Sequence, residues 1–306
     1  MLQITADVFS GRLNPAWIIT DEQEARTTLR EFAKEQNLLT ESVPVEAPLG
    51  LRGFTLEVLD DELARELDVR PSLYLEAGAQ ARSPRANELA ERLIGLMDRA
   101  TPAPAMAGGE ATPLDETLRG FLTQQLTHVG RVSLPDVREE VGPPEKARKV
   151  EAAAVCYIEF AAYNPGFWNN DPTVRQSNNC YNYASNWRTN TFAQPGRGCG
   201  QMYTALSCQE VTRAAVCDGM HRRYDCFPDT ERPRYLVALV VAPGFDYHWY
   251  RKMKEGFWGH KPGSTHVRNV DNSGNVISDP ATCDRGPYTH FCGYFYGCNS
   301  QRQRIR

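Results

Sequence analysis

The side chains best suited to chemistry fall in one short stretch and at two positions downstream of it. In SNNCYNYASNW (residues 177–187), Ser177, Asn178 or Asn179 can cap a helix whose first turn contains Cys180. The dipole and free N–H groups at that helix end favour a thiolate, which makes Cys180 a candidate nucleophile. His248 and His260 are candidate bases, because the sequence places them on the two strands of one predicted hairpin. The spacing therefore predicts attack on an amide carbonyl by a Cys–His pair.

A third polar group is needed to hold the imidazole in the right tautomer. His260, Asn269 and Asp271 all lie on predicted strands or turns that follow in the same sheet. We therefore predict His248 as the general base, oriented by His260 or Asn269.

This arrangement resembles the papain-like NlpC/P60 cysteine peptidases and amidases, whose catalytic order is Cys, His and then a polar residue that is often His. Cys180, His248 and His260 reproduce that order and the hairpin spacing, and C-x-x-Y-A at residues 180–184 is similar to the related CHAP amidases. The chain departs from the NlpC/P60 pattern where Cys180 is followed by Tyr-Asn rather than Ser-Gly, and where Trp follows His248. The resemblance covers residues 170–275 and implies amide hydrolysis or acyl transfer through a thioester.

The resemblance also implies an oxyanion hole, formed by the Cys180 backbone N–H with Gln176 or Asn179. Aromatic side chains near these positions would line a cleft for a peptide, peptidoglycan-like or protein substrate. The expected cleft residues are Tyr183, Trp187, Trp249 and Trp258. No cofactor and no metal enter this mechanism.

The cysteine content supports one alternative to this mechanism, and the histidines support another. All nine cysteines lie between Cys156 and Cys298, and no pair has the C-x-x-C spacing of a zinc site. The density favours disulfides and a non-enzymatic binding or structural module in which Cys180 is bridged. The other alternative is a metal-dependent enzyme that uses His248, His260 and His266.

The elements that must position these residues can be predicted from hydrophobic patterns. Residues 235–242 (YLVALVVA) predict a strand buried on both faces. Residues 247–253 and 257–261 predict a hairpin, and 265–270 with 275–277 predict a second one. The predicted C-terminal architecture is therefore a papain-like α+β domain with an antiparallel sheet.

The first part of the chain alternates between strand and helix patterns. Alternation predicts strands at residues 2–9, 54–59 and 72–76, and helical periodicity predicts helices at 22–35, 60–67 and 84–98. Prolines and glycines in residues 101–114 predict a linker, with one more helix within 112–128. The expected organisation is an acidic α/β domain at 1–105, a linker and helix at 106–150, and a cysteine-rich catalytic domain at 151–306.

Charge and hydropathy narrow the functional class and the location. Residues 1–150 carry 25 acidic and 17 basic side chains, against 13 and 17 in the remainder. Without a strongly basic domain or an apolar run of about 18 residues, nucleic-acid binding and a membrane span are not expected. No signal peptide is visible, yet the cysteines indicate an extracytoplasmic or exported protein. The N-terminal domain could bind the catalytic domain or a partner protein, a choice the sequence leaves open.

Overall fold

The computed structural model describes residues 1–41, 43–45, 47–104, 111–127, 158–222 and 231–306, and the backbone of 137–138. The chain divides into two compact units. Unit 1 comprises Met1–Phe9 and Leu13–Val132, and unit 2 comprises Ser10–Arg12 and Ser133–Arg306. Both units combine helices with a mainly antiparallel sheet, so the α+β class predicted for the chain is confirmed.

Unit 1 is built on a fully antiparallel sheet. Its strands are β1 (Leu2–Asp7), β2 (Ala16–Ile19), β3 (Leu39–Thr40), β4 (Gly53–Val58), β5 (Ser72–Glu76) and β6 (Thr101–Ala103). They lie in the order β3-β5-β4-β1-β2-β6. The α/β expectation for this part is wrong, since α/β folds require parallel strands joined by crossover helices and every pair here is antiparallel.

The helices of unit 1 are α1 (Glu22–Ala33), α2 (Asp61–Glu66), α3 (Pro84–Met97) and α4 (Glu116–Thr127), and short 3-10 turns lie at Gln36–Leu38 and Gly78–Gln80. The predicted helices are confirmed, and α1 and α2 begin at Asp side chains that accept backbone N–H bonds. Residues 101–103 form β6 rather than a linker, because an edge strand tolerates Pro102. Helix α4 packs on α3 within the same unit.

Unit 2 contains a second sheet. Its strands are β7 (Val137–Arg138), β8 (His221–Arg222), β9 (Tyr235–Ala242), β10 (Asp246–Lys252), β11 (Trp258–His260) and β12 (His290–Gly297). Five follow the order β11-β10-β9-β12-β7, and β8 also pairs with β12. The predicted buried strand β9 and the predicted hairpin of β10 and β11 are both confirmed.

The helices of unit 2 are short. They are α5 (Pro165–Asn169), α6 (Pro172–Ser177), α7 (Cys180–Ala184), α8 (Cys208–Cys217) and α9 (Asn299–Arg304). Helix α7 packs on β10, and α8 packs on β9 and β12. Side chains from both helices and all three strands form one apolar core.

The second predicted hairpin forms only at its turn, and its two arms do not extend into strands. Residues 265–277 form only isolated bridges, between Val270 and Val276 and between Arg268 and His260. The Asp271 carboxylate accepts the backbone N–H groups of Ser273 and Asn275, so these amides bond to a side chain rather than to a strand partner.

Candidate functional site

Helix α7 begins at Cys180, so its first turn contains this residue as predicted, and Asn179 is the cap among the three candidates. The Asn179 side chain accepts from the backbone N–H groups of Tyr181 and Asn182, and the Asn182 side chain accepts in return from the Asn179 N–H. This reciprocal capping box satisfies three of the amides at the start of the helix. The cap therefore fixes the position of the Cys180 side chain.

Asn179 is committed to structural hydrogen bonds. Its Nδ2 donates to the carbonyls of Gly11 and Ala193, each at 2.7 Å, so both amide hydrogens are used. Asn179 therefore has no donor left for an oxyanion. Gln176, the other predicted oxyanion donor, lies exposed in α6.

Cys180 is a buried thiol. Its side chain is inaccessible to solvent and packs in the apolar core, with Sγ 4.0 Å from the carbonyl oxygen of Tyr247. Burial raises the pKa of Cys180 well above its ordinary value, and the negative charge of Asp246 raises it further. The N–H of Trp249 and the charge of Lys261 oppose this shift without reversing it. The position at a helix start therefore does not produce a thiolate here.

Cys180 and His248 lie on opposite faces of β10. Side chains alternate along a strand, and Tyr247 and Trp249 point into the core that contains Cys180. His248 therefore points to the other face, where its ring contacts Tyr250 and His260. The predicted Cys–His pair is not formed in this structure.

The structure does bring the two predicted histidines together. His248 Nε2 lies 2.8 Å from His260 Nδ1, and His260 Nε2 lies 3.0 Å from the carbonyl oxygen of Val270. A carbonyl oxygen accepts only, so His260 carries its proton on Nε2 when neutral. Its Nδ1 is then the acceptor for a proton donated by His248 Nε2.

The histidine pair is enclosed by other side chains. Tyr250 stacks on His260 with ring centroids 5.1 Å apart, and Tyr288 lies 5.8 Å from the ring of His248. The side chains of His248 and His260 are 0 % and 1 % exposed. In this geometry the pair does not reach a substrate in solution, and its hydrogen bonds hold β10, β11 and the Val270 turn together.

Burial lowers the pKa of His260 to about 3, and the positive charge of Arg268 adds to this effect. The unfolded chain, with a histidine pKa of about 6.5, therefore takes up this proton first as the pH falls. We expect His260 to contribute stability that is complete above pH 6.5 and is lost as the pH falls toward 3. The loss is about 2 kcal/mol between pH 7 and 5, from a slope of at most about 1.4 kcal/mol per pH unit.

Guanidinium unfolding at pH 7, 6 and 5 measures this slope. His260→Gln retains a donor for Val270 but no longer titrates, so its pH dependence should be shallower than that of the wild type. His290→Gln, at a partly exposed histidine, is the matched control. If the free energy of unfolding of the wild type and of His260→Gln changed equally with pH, His260 would not be the source of the pH dependence.

Asp246 in β10 holds the segment Ser10–Arg12 within unit 2. Its carboxylate accepts from the backbone N–H groups of Ser10, Gly11 and Arg12, and from Tyr288 Oη at 2.6 Å. Burial raises its pKa above the ordinary value, while these donors oppose the shift. This explains why Ser10–Arg12 belongs to unit 2 although its sequence neighbours belong to unit 1.

The other predicted site residues do not join the pair. The backbone carbonyl of Asn269 accepts from the Ile277 N–H at 2.9 Å, and the two histidines bond to each other and to the Val270 carbonyl instead. His266 lies next to Arg175, with 3.5 Å between His266 Nε2 and Arg175 Nη1. Among the described residues, His248, His260 and His266 do not form a metal-ligand group.

The predicted cleft aromatics are mostly core residues. Tyr183, Trp249 and Trp258 are buried, and Tyr183 packs edge-on against Trp168. Trp187 is 44 % exposed and lies beyond the end of α7 at Ala184. The structure therefore assembles no cleft from this set.

The described cysteines are partly paired. Disulfides join Cys199 to Cys217 and Cys208 to Cys292. Cys180, Cys283 and Cys298 are free thiols. Cys156 and Cys226 lie outside the described residues.

One cluster was missed by sequence reasoning. His221, Glu231 and Cys298 place their ligand atoms within 4.8 Å of one another. Their separation in sequence hides the cluster, and only the pairing of β8 with β12 brings two of them together.

Unit 2 is thus a disulfide-linked α+β module with a densely hydrogen-bonded interior. The chain is 49 % identical over 144 residues to insoluble matrix shell protein 1 of Ruditapes philippinarum. The match spans 47 % of this chain and 93 % of that protein, so the chain belongs to the same family as insoluble matrix shell protein 1.

Other comparisons give no further relation. No family model matches the chain, and no solved structure matches it. In the described part of the chain, no helix is both long enough and apolar enough to cross a membrane. The relation to NlpC/P60 peptidases stays a prediction.

Proposed function

We propose that this chain is a non-enzymatic structural protein of an insoluble matrix, with unit 2 as a disulfide-stabilised module. The observation that carries the proposal is the position of Cys180, which is fully buried and on the face of β10 opposite His248. A thiol so placed has neither a base beside it nor a route to substrate.

The interior of unit 2 supports the same conclusion. The side chains of Asn178, Asn179 and Asn182 are buried, and each bonds to several backbone groups rather than facing a cleft. Such satisfied networks stabilise one conformation of the surrounding loops. Two disulfides within unit 2 also fit a protein that works in an oxidising compartment.

The name of the relative adds weight to a structural role, since that protein is described as an insoluble matrix shell protein. The proposal predicts where the native protein is found. After extraction of the producing tissue with aqueous buffer, an antibody against this chain should detect it in the insoluble residue. Recovery entirely in the soluble extract would contradict a matrix role.

The competing proposal is a thiol hydrolase or acyltransferase acting on a peptide or peptidoglycan-like amide through Cys180. One observation favours it: α7 begins at Cys180, where the sequence predicts the nucleophile. It requires a rearrangement that ionises the thiol and brings it to a base.

Alkylation of the native protein distinguishes the two proposals. We expect iodoacetamide to leave Cys180 unmodified under native conditions, because the thiol is buried and protonated. Peptide mapping after denaturation in guanidinium, where Cys180 must react, is the control. Rapid native labelling of Cys180, together with an amidase activity that Cys180→Ser abolishes, would establish the hydrolase instead.

A further inference from the structure

The cluster of His221, Glu231 and Cys298 lies at one end of the unit 2 sheet. His221 in β8 pairs with Tyr296 in β12, and Cys298 follows two residues after Tyr296. Cys298 lies one residue beyond the end of β12 and its backbone is still extended, so it continues the strand to a position diagonal to His221. The backbone geometry therefore accounts for the approach of these two side chains.

Glu231 reaches the same point from a different segment. Its Oε2 accepts from the N–H of Ser300 at 3.3 Å, in the first turn of α9. That bond holds the carboxylate at the start of α9, which Cys298 immediately precedes. One thiol, one imidazole and one carboxylate thus converge within 4.8 Å from three separate segments.

We infer that His221, Glu231 and Cys298 bind one divalent zinc-like cation. Sulfur, nitrogen and oxygen donors together suit Zn²⁺, whereas Ca²⁺ and Mg²⁺ prefer oxygen ligands throughout. Ligands of a tetrahedral zinc lie about 3.3–3.8 Å apart, as zinc bond lengths of about 2.0–2.3 Å require. The observed limit of 4.8 Å leaves about 1 Å of side-chain movement to close the site.

The charges favour a metal over catalysis at this position. A Cys298 thiolate beside the Glu231 carboxylate would be repelled, so this pair is poorly arranged to activate a nucleophile. A bound cation reverses the repulsion and uses both anions as ligands. The three side chains leave one position of a tetrahedral ion for water, and the bound ion would join β8, Glu231 and the start of α9.

Cobalt spectroscopy of the full-length protein, purified without chelator or reductant, tests the site. Co²⁺ should bind in a one-to-one ratio and give a near-ultraviolet thiolate-to-metal band, and Zn²⁺ should displace it. Cys298→Ser should remove the band, and His221→Gln should weaken Zn²⁺ binding at least about tenfold, since even residues that only support metal ligands contribute about 10–100-fold.

Cys283→Ser is the matched control, because Cys283 is a free thiol outside the cluster. Its loss should change neither the Co²⁺ thiolate band nor the affinity for Zn²⁺. The wild-type spectrum decides the matter even if a variant fails to fold. Absence of a thiolate band in the wild type would overturn the proposal that these residues bind a metal ion. Zn²⁺ binding that Cys298→Ser and Glu231→Gln leave unchanged would overturn it as well.

Discussion

Removal of the disulfide between Cys208 and Cys292 should destabilise unit 2 by about 4–5 kcal/mol. The bond closes a loop of 84 residues, and a loop of that length restricts the unfolded chain strongly. It also connects the first residue of α8 to β12 within the apolar core. The double variant Cys208→Ala/Cys292→Ala should therefore unfold at a much lower guanidinium concentration than the wild type.

The second disulfide provides the comparison. Cys199 and Cys217 are 18 residues apart, so the same entropy relation gives only about 3 kcal/mol for that bond. Four of the five tryptophans lie in unit 2, which allows its unfolding to be followed by fluorescence without reductant. A loss for Cys199→Ala/Cys217→Ala equal to that of the longer loop would contradict the entropic explanation.

Removing Cys208 and Cys292 also removes buried sulfur atoms from the core, and the stability lost through packing has to be measured separately from that lost with the cross-link. Cys180 is a free thiol in the same core as Cys208 and Cys292. Cys180→Ala therefore measures the cost of removing a buried sulfur without breaking a cross-link. We expect this cost to be small beside the loss of the disulfide, since one small side-chain atom is removed.

Local patterns predicted much of the fold of this chain. The apolar run at residues 235–242 predicts β9 at its observed residues, because a strand buried on both faces is apolar without interruption. The β10–β11 hairpin was predicted from its turn residues, which act locally. The capping residues at 177–179 predict that a helix starts close to Cys180, because a side-chain cap is also a local interaction, and the structure selects Asn179.

The sequence did not reveal elements that depend on distant partners. Strand β12 mixes aromatic residues with glycine and contains a register shift between Phe291 and Gly293, so its alternation is irregular. Strand β6 contains a proline and is stabilised by pairing with β2, far away in the sequence. These strands form because a neighbouring strand supplies hydrogen bonds, which no local pattern records.

The candidate site also depends on contacts between distant segments, which the sequence does not reveal. The sequence placed His248 on the right strand and next to His260, as their hydrogen bond shows. It could not show on which face of β10 helix α7 packs, because that choice depends on contacts between segments far apart in sequence. Side chains alternate along β10, so Tyr247 and Trp249 face Cys180 whereas His248, between them, faces the other side of the sheet.

A second large effect is expected in unit 1, from its buried ion pair. Arg52 Nη2 donates to Asp7 Oδ1 at 2.6 Å, and the side chains are 1 % and 3 % exposed. Asn14 Nδ2 and Tyr74 Oη also donate to this carboxylate. Arg52→Met would leave the Asp7 charge buried without its cation, and we expect a loss of about 3–5 kcal/mol.

The double variant Asp7→Asn/Arg52→Met tests whether the loss comes from the stranded charge. It should be less destabilised than the sum of the two single variants, because neither charge then stays buried alone. Unfolding of unit 1 can be followed through Trp17, the one tryptophan of residues 1–132. Arg70→Met, which breaks the exposed pair with Glu41, should cost no more than about 1 kcal/mol. Strict additivity of the single variants would show that the two side chains act independently.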